Sequence, residues 1–541
     1  MTKHGLKIVL VSGPICSGKS EFVSGLEAEF DVELIKTKDM IIDCANVRVK
    51  TRKNLQRQGD CLDRETKGRW IADALAEKVE ALRSKASEGR RIVVVDSVRK
   101  EIQIEAIRRA FGSDVHHIHL TAQPDELQRR FEARQRDTDA GLSYEDATRS
   151  KTEKNVKKLE PLADTVAKTD RCSAQSVLAR ATALLDLYPR SNKPLVDVLI
   201  GGQYGSEGKG NIVGHIASEY DFLVRVGGPN AGHQVYAEPE PEKYYHLPSG
   251  TGRAPHAKLI LGAGAVIFPD KLLEEISNHQ VSQDRLFIDP QAMIIREEDR
   301  REEQKSYTNI SSTGQGVGIA SARKMTGRSA YKDGDKFLAR DCKVLKPYIQ
   351  DTRSVIAKAM AADKRILLEG TQGTSLSLHH GQYPHVTTRD TTVSGCLADA
   401  GIAPSAVRKI IMVCRTYPIR VGGPSGEMDY EISLEEIAER SGVSIEELKK
   451  LETTTTTKRK RRIAEFDWAQ LKDSVQLNGP TDIALTFVDY FDVANRKAYR
   501  FEQLTEDTIS FVEEVERVSG RPVSLLSTDF DWRNVIDRRA W

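Results

Sequence analysis

Two glycine-and-lysine stretches in this chain carry the residue types that phosphate chemistry needs. The first, GPICSGKS at residues 13–20, satisfies the pattern G-x-x-x-x-G-K-[ST]. In that pattern successive backbone N–H groups and a helix N-terminus cradle phosphates, and Lys19 reaches the β and γ oxygens. Gly13 and Gly18 permit the turns, while Ser20 offers a hydroxyl to Mg2+. Asp96, which ends the apolar run IVVVD, suits a second carboxylate around the metal. Arg99 and the arginines of RRFEARQRD (Arg129, Arg130, Arg134 and Arg136) suit a transferring phosphoryl group, although any one of them also reads as a solvated helix face. The second stretch, GSEGKG at residues 205–210, gathers Gly205, Gly208, Lys209 and Gly210 around a serine, Ser206. It is also built for a phosphate.

Both loops need a strand before them and a helix after. LKIVLVSG precedes the first and SEFVSGLEAEF follows it; VDVLIGG precedes the second. Apolar runs (RIVVVDSV, VHHIHLTA) alternate with longer amphipathic stretches through the first 185 residues, which predicts βαβ units on a parallel sheet. The polar, two-proline segment YPRSNKP, residues 188–194, predicts a boundary between domains at 1–190 and 195–541, both α/β. No internal repeat is present.

Composition narrows the class. A chain of 541 residues exceeds one ordinary core, and 39% hydrophobic with 30% charged residues suits a globular protein. No apolar run reaches the roughly 18 residues of a membrane span, and the N-terminus has no signal-peptide pattern. Seven scattered cysteines without a C-x-x-C pair point to reduced thiols and a cytoplasmic location. A formal net charge of +2 argues against general nucleic-acid or membrane partners, even though KRKRR (458–462) alone would suggest a basic patch.

The first domain resembles P-loop nucleoside monophosphate kinases, with the arginines after Asp96 corresponding to their lid; the acceptor is not readable from it. From residue 195 onward the chain resembles the adenylosuccinate synthetase family. GSEGKG, GGPNAGHQV, HLPSG, LGAGAVIFP, STGQGVG, LEGTQGTSL, YPHVTTRDTT, IRVGGP, TTKRKRR and LTFVDYFD occur in that family's order. The resemblance implies a Mg2+-dependent ligase, working as a homodimer, that joins L-aspartate to C6 of a 6-oxopurine nucleoside monophosphate at the expense of ATP or GTP. N1–H is lost, O6 takes the γ-phosphoryl group, and the aspartate amine displaces phosphate.

Carried across residue by residue, the family's catalytic histidine is His233, and Gly232 offers a carbonyl to Mg2+. Gln372 contacts the 6-oxo group. Asn230, Thr313 and Thr387 hold the nucleotide, with Arg328 lent across the dimer interface. Thr457, Arg459 and Arg461 grip aspartate, a use that suits arginine's bidentate geometry. Gly205, Gly208, Lys209, Gly210 and Asp489 hold the triphosphate.

Three positions depart from the pattern. Ser206 stands where the family has an aspartate that ligates Mg2+ and takes the N1 proton; a hydroxyl is no comparable base. Phe487 replaces the lysine before Asp489, and STDFD at 527–531 replaces a serine–threonine–glycine–proline turn. The last two open the site to ATP or dATP. The serine resembles a bacteriophage branch that acts on dGMP. Guanine carries a 2-amino group beside N1, and a small neutral residue leaves room for it. dGMP or GMP is therefore favoured over IMP, with ordinary IMP and GTP use, or a nucleotide-binding regulator without turnover, as alternatives.

Overall fold

The computed structural model describes residues 6–47, 51–84, 92–133, 143–149, 151–185, 193–452 and 460–540. It divides into two compact units, Met1–Arg190 and Ser191–Trp541. Arg134, Arg136, Thr457 and Arg459 lie outside the described residues.

In the first unit, strands β1 (Lys7–Ser12), β2 (Val32–Lys36), β3 (Ile92–Asp96), β4 (Val115–Thr121) and β5 (Thr165–Lys168) form one sheet in the order β2-β3-β1-β4-β5. All pairings are parallel. The apolar run of β1 is continuous because both sheet faces are covered, as a parallel sheet requires. Ile8 and Leu10 join one core, Val9 and Val11 the other. The GKS turn then starts helix α1 (Lys19–Glu29), with Gly18 at φ 88° before its first residue.

The second unit repeats this logic on a larger sheet. Its strands are β6 (Val196–Gly201), β7 (Phe222–Arg225), β8 (Lys258–Leu261), β9 (Leu286–Ile288), β10 (Ile366–Glu369), β11 (Val407–Arg415), β12 (Asp482–Thr486), β13 (Val523–Ser527) and β14 (Val535–Asp537). They lie in the order β9-β8-β7-β10-β6-β11-β12-β13-β14. Only the β13–β14 pair at the edge is antiparallel. β6 is the pivot: β10 and β7 lie to one side, β11 and β12 to the other. Chain order reverses there, and at such a point in an open α/β sheet the carboxyl ends of the strands leave a ligand crevice. The register brings Glu369 level with Arg225, and Arg415 level with Thr486, along that edge.

Candidate functional site

The loop after β6 is bent by its glycines. Gly208, at φ 85°, is the left-handed residue before helix α2 (Lys209–Ile216), which matches the Gly18–Lys19 junction of the first unit. Gly210 packs so tightly that a Cβ there would lie 2.4 Å from the carbonyl oxygen of Gln234. Glycine is therefore required on steric grounds. Lys209 is buried, and its Nζ donates to Glu207 Oε2 at 2.5 Å. Glu207 Oε1 in turn accepts from the backbone N–H groups of Gln203 (3.1 Å) and Gly205 (2.8 Å). This carboxylate braces the loop through its own backbone and Lys209. Ser206 itself is exposed, in the left-handed region at φ 56°.

A cavity of about 1050 Å³ opens over this loop. Gly205, Ser206, Gly208, Lys209 and Gly210 form one wall. Asn230, Gly232, His233, Thr313, Gln372, Thr387 and Arg461, expected from the sequence as site residues, all line it too. The fold thus brings together residues from six separate stretches of chain. Arg328 is exposed at the start of the short helix Arg328–Lys332 and is not part of that lining. Asp489 is only 2% exposed, also outside the lining, with its Oδ2 accepting from Arg496 Nε (3.0 Å) and Nη2 (2.8 Å). Burial pushes its carboxyl up to about 7 despite Arg496.

His233 is oriented by Glu369, which lies within LEGTQGTSL but to which the sequence reading assigns no role. Its Nδ1 lies 2.5 Å from Glu369 Oε1 and 3.1 Å from Ser249 Oγ. Glu369 also accepts from Ser249 N–H at 2.7 Å and from Arg225 Nη1 at 3.3 Å. Burial alone would raise the Glu369 carboxyl, but Arg225 and His233 hold it down at about 2. Burial, with Arg225 nearby, lowers His233 to about 4. A neutral imidazole whose Nδ1–H is given to an ionised carboxylate leaves Nε2 as its remaining polar atom.

Gln372 is fixed in a comparable way. Arg389 Nη1 donates to Thr371 Oγ1 (3.1 Å), and that hydroxyl donates to Gln372 Oε1 (2.8 Å). With its oxygen engaged, the amide is left with Nε2 as a buried donor that has no partner among the described residues. A buried donor without an acceptor costs roughly 1–3 kcal/mol, so a ligand carbonyl is the group that would relieve it. Asn230 Oδ1 is likewise a buried acceptor without a partner there, its Nδ2 lying 3.5 Å from Thr387 Oγ1.

The first unit has its own cavity, of about 830 Å³, lined by Gly18, Lys19, Ser20, Asp96, Arg99 and Arg130 among others. Lys19 Nζ donates to the carbonyls of Gly13 and Pro14 at 2.7 Å each. Burial, reinforced by Arg99, lowers its ammonium to about 8. Arg129 and Arg130 both pair with Glu126 at 2.7 Å, and Arg130 also reaches Thr169 Oγ1 (2.9 Å). The opposite wall holds Lys100, bonded to Asp60 (2.5 Å) and Asp63 (2.7 Å), a cluster the sequence reading did not single out.

Against known proteins, the family model for adenylosuccinate synthetase matches residues 198–339 and 333–496. The chain belongs to the adenylosuccinate synthetase family. Adenylosuccinate synthetase of Methanocaldococcus jannaschii is 36% identical over 351 residues, covering 63% of this chain and 96% of the relative. That of Pyrococcus horikoshii is 34% identical, covering 63% and 98%. A solved structure of the Plasmodium falciparum enzyme, fully ligated, matches in fold with a TM-score of 0.54 at 21% identity, covering 64% of this chain and all of that one. The cyanophage S-2L succinoaminodeoxyadenylate synthetase, bound to dGMP and to dATP as an energy donor, matches with a TM-score of 0.53 at 28% identity, covering 64% and 96%. An AAA domain model matches residues 9–157. The family relation makes this an adenylosuccinate synthetase-type ligase, which joins aspartate to a purine nucleotide. Among the described residues no helix is long and apolar enough to cross a membrane.

Enzymes of this family depend on Mg2+. Of the carboxylates that line the cavity, Glu207 is committed to Lys209 and the backbone and Glu303 to the Ser312 hydroxyl and the Gly318 N–H, which leaves the neutral residues Ser206 and Gly232. Such a set suits a magnesium ion that arrives on the triphosphate and keeps phosphate and water oxygens as its main ligands. Bound there, the ion would spread the charge of the transferring phosphoryl group.

Proposed function

We propose that this ligase acts on a guanine nucleotide, dGMP or GMP, with an adenine nucleoside triphosphate as donor, and forms the 2-amino analogue of adenylosuccinate. The observation that carries the acceptor assignment is Ser206. Ser206 lines the cavity from an exposed, left-handed position, and the neighbouring carboxylate of Glu207 is taken up by Lys209 and the loop's own N–H groups. A carboxylate at position 206 would crowd a 2-amino group beside N1; a hydroxyl does not. The phage enzyme bound to dGMP and dATP supports the same reading. For the donor, Asp489 lies outside the cavity lining with its Oδ2 bound to Arg496, and the lining offers Phe487 and Phe530 in that region. An adenine ring suits such a surface.

The chain's residues divide the work as follows. Gln372 Nε2 donates to O6 of the purine and polarises the C6–O6 bond. As N1–H gives up its proton to solvent, O6 attacks the γ-phosphorus and the bond to the β-phosphate oxygen breaks. His233, held by Glu369, presents Nε2 toward the phosphoryl oxygens; the arriving anion raises the imidazole's basicity, and the imidazolium donates as charge moves. Lys209 and the amides at the start of α2 hold the phosphates. Arg461 grips a carboxylate of aspartate while its amine attacks C6 and phosphate leaves. Arg328, from its exposed helix, would complete the nucleotide site of a second copy in a homodimer.

The P-loop unit is read as a nucleotide kinase. Lys19, Asp96, Arg99 and Arg130 around one cavity support phosphoryl transfer there. Incubation of the full chain with Mg2+, aspartate, each of ATP, dATP and GTP, and each of IMP, GMP and dGMP tests both readings by mass spectrometry. A succinylated guanine nucleotide formed best with ATP or dATP is expected. Preference for IMP overturns the acceptor assignment. Nucleotide binding without product under any combination favours a regulator instead. With ATP or dATP as donor, absence of a diphosphate of the acceptor nucleotide (IDP, GDP or dGDP) overturns the kinase reading for these acceptors.

A further inference from the structure

Behind the cavity wall lies a buried ionic cluster centred on Arg415 and Glu452, neither of which any of the motif matches includes. Arg415, the last residue of β11, is completely buried. Its Nη2 donates to Glu452 Oε1 at 2.6 Å, and its guanidinium lies 4.2 Å from the centre of the Phe487 ring. Glu452 Oε1 also accepts from the Tyr490 hydroxyl at 2.7 Å. The other oxygen, Oε2, accepts from Arg461 Nη1 at 2.9 Å. Arg461 has a second anchor for the same nitrogen in the carbonyl of Leu451, at 3.1 Å. One carboxylate therefore holds two arginines, each through a different oxygen.

The cluster is tied to the phosphate loop as well. Gln203 Nε2 donates to the carbonyl of Arg415 (3.0 Å), and Arg415 N–H donates to Gln203 Oε1 (2.9 Å). Arg415 Nη1 lies 3.5 Å from the carbonyl oxygen of Ser206. The path from Ser206 through Arg415 and Glu452 to Arg461 is thus continuous. It joins the loop that holds phosphate to an arginine at the cavity wall.

Charge explains what this arrangement leaves over. Two guanidinium groups and one carboxylate give a net charge of about +1 at a nearly dry site. Burial pushes the Glu452 carboxyl up, but Arg415 and then Arg461 hold it down at about 2, so it stays ionised. The surplus charge sits on the arginine that reaches the cavity: Arg461 is 13% exposed, Arg415 not at all. Arg461 Nε is buried without a partner among the described residues. With Nη1 fixed, that edge of the guanidinium remains for an anion. A carboxylate on the ligand is the fitting group.

We infer that Glu452 is a positioning residue for the amino-acid substrate: by holding Arg461 and Arg415 on its two oxygens, it sets the carboxylate-binding guanidinium at a fixed place relative to the phosphate loop. This rests on the reading of Arg461 as an aspartate ligand. Glu452 touches no substrate, so its removal should loosen one ligand selectively and leave the chemical step largely intact.

Aspartate saturation of the full chain tests it, with whichever nucleotide pair supports wild-type turnover. Glu452→Gln should raise the KM for aspartate about tenfold or more. Turnover at saturating aspartate should stay within about threefold, and the KM values of both nucleotides within about twofold. Loss of one partner from a buried pair can prevent folding, so the neutral double variant Arg415→Met with Glu452→Met is the second arm; paired replacement of buried charges by apolar groups is well tolerated. It should show the same selective rise. In an Arg461→Lys background the added effect of Glu452→Gln should shrink below about threefold, since the two act through one contact. An aspartate KM within twofold of wild type in both variants overturns the inference. So does an equal rise in all three KM values, or a fall in turnover with KM unchanged. Failure of the wild-type chain to form any succinylated nucleotide would instead remove the reading on which the inference rests.

Discussion

The Nδ1 atom of His233 lies 2.5 Å from Oε1 of Glu369, a residue 136 positions further along the chain. β10 ends at Glu369 and β7 at Arg225, and their register sets the carboxylate beside the guanidinium that keeps it ionised. This pairing fixes the imidazole's tautomer as well as its direction. Glu369→Gln keeps the shape but loses the charge that favours an imidazolium. Turnover should fall on the order of 10²-fold, while nucleotide KM values change by less than about threefold. Steady-state kinetics checks this, and equal turnover in the variant would refute the role.

Gln372 sets function against stability. Its Nε2 is a buried donor with no partner among the described residues. Gln372→Met removes that donor and keeps the side-chain length. The melting temperature should hold or rise, while kcat/KM for the purine nucleotide drops about tenfold to a hundredfold. Calorimetry and kinetics on the same preparation make the comparison. A large fall in melting temperature would show the amide to be structural.

Asp489 should give the stability curve a distinct slope. Burial raises its carboxyl from an ordinary value near 4 to about 7 in the folded state. Between those values the folded state binds more protons than the unfolded one, so this group stabilises at low pH and its contribution is lost as pH rises from about 4 to about 7. Asp489→Asn removes the titration. The difference in unfolding free energy between variant and wild type should therefore move in the variant's favour from pH 5 to pH 8, as denaturant titrations at the two values would read. A pH-independent difference contradicts the assignment.

Lys19 is lowered to about 8 by burial and by Arg99. A bound triphosphate favours the ammonium form, so nucleotide binding to the first unit at pH 8.5 should take up protons. Calorimetric binding heats in buffers of different ionisation enthalpy measure that uptake. Lys19→Met should abolish it, along with any kinase activity, and leave succinylated-nucleotide formation by the second unit in place.

The loops were legible in the sequence because their requirements are local. Gly208, Lys209 and Gly210 are adjacent, and the backbone turn, the helix start and the close approach to Gln234 all act within a few residues. Strand–loop–helix alternation gave the parallel sheets for the same reason. The supports of the site were not legible. Glu369 meets Arg225 across 144 positions and Ser249 across 120, and Gln203 meets Arg415 across 212. Those pairings follow from strand order about β6, which no short motif encodes. Glu452 sits next to the threonine run and still gave no signal, because its partners are defined only once β11 and the segment after β12 are placed. The same holds for Asp489, whose position in the motif said nothing of Arg496.

The two glycine–lysine junctions share a backbone but differ in wiring. Lys19 rests on two neutral carbonyls, while Lys209 is already paired with a carboxylate. An incoming phosphate displaces no anion at the first loop and must compete with Glu207 at the second. Titrated with one nucleotide, the intact chain should then saturate in two stages, with the P-loop unit filling first. Stoichiometry measured on the whole protein would count both, and an inhibitor shaped on triphosphate alone would spend its first equivalent away from the ligase.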